Sequence, residues 1–166
     1  MKNSISILMM MILILSCQEE QVYSLPEDAE SLLTDGDTKT WKLARRLNNN
    51  VRMNMGPCFM EYRQSFSNDH SVRDNNGENK NCGPSLVGTW EFKKGAKNEP
   101  YLRITSPQIP ELLSTGKEYK DFKILKLTMD TLEVVFRHNQ YGNKSRLIKD
   151  ILVREDLDIG DRYFHH

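Results

Sequence analysis

Two hydrophobic patterns divide this chain. From Ile5 to Leu15 the residues are apolar, broken only by Ser6, with Lys2 before them and Gln18-Glu19-Glu20 after. The run is too short for a transmembrane helix, which needs about 20 apolar residues. With the small Ser16 at its end it reads as a secretory signal, to be set aside from the fold. Beyond Thr38 the pattern changes to short runs in which apolar and polar residues alternate, the period of half-buried strands.

These runs predict a series of strands. Thr40 to Leu47 opens it, with Trp41 and Leu43 on one face and Lys42 on the other. A short strand over Val51 to Met55 and another from Phe59 to Phe66 follow, the latter placing Met60, Tyr62 and Phe66 together. Strands are expected again at His70 to Asp74, at Val87 to Lys93 with Trp90 and Phe92 on alternate residues, and at Tyr101 to Thr105. Phe122 to Leu127 and Thr131 to Arg137, joined through Met129-Asp130, give the strongest hairpin signal. Leu147 to Arg154 closes the series. Asn48-Asn49-Asn50, Asn68-Asp69 and the Asn-rich 75–81 stretch are turn clusters. Eight or nine short strands with small turns and no long helical period indicate an all-β, antiparallel up-and-down barrel. The expected organisation is a signal over 1–16, a tether over 17–37 with a short helical turn around Pro26 to Leu33, a barrel over 38–156, and a loose tail over 157–166.

Charge adds exclusions. Lys plus Arg and Asp plus Glu both number 23, so no basic excess points to nucleic acid. Cys17, directly after Ser16, resembles the lipobox of bacterial lipoproteins. That resemblance implies acylation of Cys17, removal of the peptide before it, and anchoring in the outer membrane. Acidic residues just after the cysteine resemble a surface-export signal; the surface and the periplasmic face both stay open. With Cys17 given to the lipid, Cys58 and Cys82 form an even pair in an exported chain, where disulfides persist. A bridge would close a loop of roughly 25 residues, worth on the order of 3 kcal/mol. Reactive thiols are the alternative. A metal site lacks the tightly spaced ligands it needs.

KTWKL at 39–43, CFMEYRQSF at 58–66, a second cysteine, GTWEF at 88–92 and KILKLTMDTLEVVF at 123–136 together resemble the lipocalin-like lipoproteins of Bacteroidetes-type envelopes. The resemblance runs over about 32–154 and rests on Trp41, Leu43, Cys58, Cys82, Trp90, Ile124, Leu127, Asp130 and Leu132. It implies a small lipocalin-like barrel behind a lipidated cysteine, and no particular chemistry, since fold does not fix function.

Catalytic and metal motifs are missing. The sequence has no HExxH, no CxxC and no Gly-x-Ser-x-Gly elbow. Glu19-Glu20 and Glu155-Asp156 are adjacent, so on a strand their carboxylates would point apart. Arg45-Arg46 and Lys93-Lys94 read as solvated faces. The expected role is therefore non-catalytic, without cofactor: binding of a small apolar or amphipathic ligand, with Trp41, Tyr62, Phe66, Trp90 and Phe92 as candidate lining. The alternative is an envelope protein whose filled barrel binds a protein partner through its loops. A cavity of a few hundred Å³ favours the first, a core plugged by Trp41 and Trp90 the second, and a buried cluster of ionisable residues an enzyme.

Overall fold

The computed structural model describes residues 23–139 and 144–163; Cys17 and the other positions of the predicted signal and lipid site lie outside them. Nine strands form one antiparallel sheet: β1 (Thr38–Asn48), β2 (Val51–Arg52), β3 (Arg63–Ser67), β4 (Ser71–Asp74), β5 (Val87–Lys94), β6 (Pro100–Thr105), β7 (Tyr119–Leu127), β8 (Thr131–Asn139) and β9 (Ser145–Arg154). β1 pairs with both β3 and β9, which closes eight strands into a barrel, and β2 hangs on the far end of β1 as a hairpin. Closure leaves no long unpaired edge. The predicted all-β meander barrel is the observed fold.

Three short helices decorate it: α1 (Ala29–Thr34), α2 (Pro57–Glu61) and α3 (Ile109–Leu113). The first corrects the predicted tether. Residues 23–37 pack against the barrel as its floor. Ala29 and Leu33 of α1 are buried with the core, and the Tyr23 hydroxyl donates to the Leu127 carbonyl at 3.2 Å. The helix ends at Asp35, in the left-handed region, followed by Gly36 at φ +77°, where glycine costs least.

α2 corrects a second expectation. Phe59 to Glu61 is helical, and strand begins only at Arg63. Gly56-Pro57 explains the difference: extended Gly56 leads into Pro57 at the first helical turn, where proline's missing N–H is no loss. A third concerns the tail. Arg162 is buried, its Nε donating to the Leu43 carbonyl at 2.8 Å and an Nη to the Phe59 carbonyl, while Asp161 pairs with Arg45 and Arg52. Residues 157–163 are thus strapped to the outside of β1.

Inward-facing residues follow the alternation, with one exception that shapes the interior. The β1–β9 register slips between Leu43 and Arg45. This bulge turns Arg46, not Arg45, into the barrel beside Asp150. Near the floor the barrel is solid. Trp41, Phe66, Val72 and Trp90 are at most 2% exposed, with Phe66 edge-on to Trp90 at 6.3 Å. The Trp41 indole donates to the Leu33 carbonyl of α1 at 3.0 Å. Lys39 points inward beneath it and is buried, its Nζ bonded to the carbonyls of Leu32 (2.9 Å) and Met129 (2.6 Å) and 4.6 Å from the Trp41 ring.

Candidate functional site

Above the aromatic floor the barrel is hollow. The strands leave a cavity of about 390 Å³, within the usual range for small-molecule sites. Antiparallel connections put the β1–β3, β4–β5 and β6–β7 loops at the same end, the mouth. They contribute Met53, Phe59, Asn76 and Leu113 to the lining. A second pocket of about 280 Å³ beneath α3 shares Tyr62, Gln64, Asp74 and Phe122 with the first, so the two form one branched space. Cys58 and Cys82 are bridged (S–S 2.07 Å) and also line the cavity. The bridge ties α2 to the 75–86 loop across the mouth, as the paired cysteines predicted.

Strand register orders the interior from floor to mouth. Leu43, Leu152 and Leu132 form one row above Trp41; Arg46, Asp150 and Val134 form the next; Ile148 and Phe136 lie above them, and His138 nearest the mouth. The polar residues cluster on one arc of the wall: Asp150 on β9, Arg46 on β1, Tyr62 and Gln64 at β3, Asp74 on β4. The facing arc is apolar, made by Leu102 and Ile104 of β6, Phe122 of β7, and Leu132, Val134 and Phe136 of β8. Phe122 and Phe136 meet edge to face at 4.9 Å.

The polar arc is held in place by its own bonds. Arg46 grips Asp150 with two parallel hydrogen bonds of 2.7 and 2.6 Å and lies 4.6 Å from the Phe59 ring. Burial disfavours the Arg46 charge, but the hydrogen bonds and charge of Asp150 outweigh it and raise the pKa. Asp74 Oδ1 accepts from the amides of Asn76 and Leu86, both at 3.1 Å; burial nevertheless lifts its pKa, against those two bonds. Burial, then the nearby charges of Asp74 and Asp150, push the Tyr62 phenol far up, so it stays neutral and protonated. The Tyr62 hydroxyl and the Gln64 amide make no hydrogen bond to another described residue. Both are presented to the cavity.

At the rim of the apolar arc stand Lys120 and His138. Lys120 Nζ donates to the Arg137 carbonyl, and burial lowers its pKa. Burial also lowers that of His138, helped by the charges of Lys120 and Arg46.

Of the five aromatics read from the sequence as candidate lining, Tyr62 lines the cavity. Trp41, Phe66 and Trp90 sit in the floor, and Phe92 packs on Trp90 at 5.4 Å. Sequence reasoning missed Arg46, Gln64, Asp74, Lys120 and Asp150. The doublet Arg45-Arg46 reads as solvent-facing because paired charges favour water, and the bulge that turns Arg46 inward leaves no mark in alternation. Gln64 carried a usable signal: it lies two residues from both Tyr62 and Phe66, hence on their face. Among the described residues, no His, Cys, Asp or Glu cluster could hold a metal ion, and no helix is long and apolar enough to cross a membrane.

No curated protein matches the chain. Among solved structures it is similar to a lipocalin-like protein from Bacteroides uniformis ATCC 8492, at 14% identity and a TM-score of 0.46, over 74% of this chain and 98% of that one. It is also similar to an uncharacterized protein from Bacteroides eggerthii DSM 20697, at 13% identity and a TM-score of 0.40, over 70% and 97% respectively. The family model of the lipocalin-like domain matches residues 38–134, more than half of the sequence, and the chain belongs to that family.

Proposed function

We propose that this protein is a lipid-anchored envelope lipoprotein whose barrel binds a small amphipathic molecule without transforming it. One observation carries the binding role: a cavity of about 390 Å³ whose lining offers a neutral hydroxyl and a carboxamide with no partner among the described residues. A barrel filled for stability alone would place apolar side chains there.

The ionisable cluster does not favour an enzyme. Arg46 and Asp150 are locked to each other, and Asp74 is tied to two backbone amides. A phenol with a strongly raised pKa is a poor general acid or base near neutrality. This arc supplies hydrogen bonds and orientation.

Val134, in the Arg46–Asp150 row, tests the role. Val134→Phe should fill the centre of the cavity and abolish binding, at a stability cost of about 1–3 kcal/mol at most. Native mass spectrometry should find a small molecule carried by the wild-type protein and absent from the variant. If the wild type carries nothing and takes up no anilinonaphthalene sulfonate dye, ligand binding is wrong. The solid aromatic floor favours the alternative in that case, a barrel that meets a protein partner through its mouth loops.

The anchor rests on the sequence around Cys17. Labelled palmitate should be incorporated by the wild type, and Cys17→Ala should accumulate as an unlabelled, uncleaved precursor. A labelled Cys17→Ala protein would sink the lipoprotein reading.

A further inference from the structure

We infer that the cavity selects a facial amphiphile: a compact, rigid molecule with neutral hydroxyls along one face, an apolar opposite face, and any acidic group at the end left in the mouth. The inference rests on the ligand-binding reading above and specifies its ligand.

The two-sided lining is the first ground. Asp150, Arg46, Gln64 and Asp74 occupy four consecutive neighbours around the barrel, β9, β1, β3 and β4. The apolar residues of β6, β7 and β8 occupy the other side. A linear chain with one polar end would leave most of the polar arc facing methylenes, stranding the Tyr62 hydroxyl and the Gln64 amide. A purely apolar ligand would strand both. A molecule with polar groups along one edge satisfies the arc and covers Leu102, Phe122 and Val134 with the other.

The chemistry of the arc is the second ground. Tyr62 donates, Asp74 accepts, and Gln64 does both. Hydroxyls, which also donate and accept, are complementary to such a wall. A buried carboxylate or phosphate is not, because Asp74 and Asp150 stand on the same arc. The cation free of a bidentate carboxylate partner, Lys120, lies at the rim instead, beside His138. An acidic end is therefore accommodated at the mouth and hydroxyls in the depth.

The test uses three probes on the delipidated wild-type protein, below micelle-forming concentrations. Cholate, a steroid acid whose hydroxyls share one face, is compared by calorimetry with cholanate, the same steroid acid without hydroxyls, and with dodecanoate. Cholate should bind at least about tenfold more tightly than either. Tyr62→Phe and Gln64→Leu should each erase most of that preference, by weakening cholate and by tightening cholanate, which no longer strands a polar group. Both variants should keep the wild-type urea midpoint, since neither removed group bonds to another described residue. Equal or tighter binding of cholanate or dodecanoate overturns the inference and leaves the binding role standing. A cholate preference that survives both substitutions also overturns it. Failure of all three probes to bind overturns the inference; the binding role falls with it only where the wild type also carries no small molecule and takes up no anilinonaphthalene sulfonate.

Discussion

Trp41→Ala should cost about 3–5 kcal/mol, the usual range for emptying a fully buried large aromatic site. Domains of this size are stable by only about 5–15 kcal/mol, so the variant will be marginal or unfolded. Trp41 is 0% exposed and couples three parts of the floor. Its ring packs with the core, its indole holds the Leu33 carbonyl of α1, and its face shelters the Lys39 ammonium. Truncation leaves a cavity, an unpaired carbonyl and a more exposed lysine together. In urea the midpoint should fall sharply with an unchanged slope. Trp41→Phe should recover much of the packing and not the indole bond, and so fall between the two. A midpoint within about 0.5 M of wild type for Trp41→Ala, roughly 1 kcal/mol at ordinary slopes, would show that α1 and the floor are not coupled through this residue.

Asp150→Ala should be nearly as damaging, at about 3–5 kcal/mol, for a different reason. It strands the Arg46 guanidinium in the barrel wall with its carboxylate gone. The side chains of Arg46 and Asp150 are 23% and 10% exposed, so solvent compensates little. Arg46→Met combined with Asp150→Leu should be far milder, within about 1–2 kcal/mol of wild type, because no charge is left without its counterpart. A double-mutant cycle in urea measures the coupling directly. If the double variant is as unstable as Asp150→Ala, the pair is a packing element and its charges matter little. The cycle should respond weakly to salt, since buried pairs are poorly screened.

The sequence made the barrel legible because a closed antiparallel meander needs only local signals. Alternation marked the strands from Trp41 to Val153, Asn-rich turns separated them, and Met129-Asp130 joined the β7–β8 hairpin. The cysteine pair was legible by elimination. Four things were not. The bulge at Leu43–Arg45 inverts the facing of the residues after it, which hid Arg46. Pro57 starts a helix where aromatic alternation suggested strand. Residues 23–37 are polar enough to read as linker, and only the docking of Tyr23, Ala29 and Leu33 makes them part of the core. Aromatic spacing also could not separate a residue that plugs a floor, such as Trp90, from one that lines a hollow, such as Tyr62, because both face inward at the same period.

The floor and the mouth lie at opposite ends of the barrel, and the chain enters at the floor, where Tyr23 is fastened to Leu127. Five residues lie between Cys17 and Tyr23, six steps of at most about 3.6 Å each. Acyl chains on Cys17 would therefore moor the barrel within roughly 20 Å of the bilayer, floor side down. Its entrance would then look outward, across the length of the strands. Cargo in such an arrangement would be loaded from the aqueous side, as dispersed monomer or from a second carrier. It would not be drawn sideways out of a membrane that held the protein.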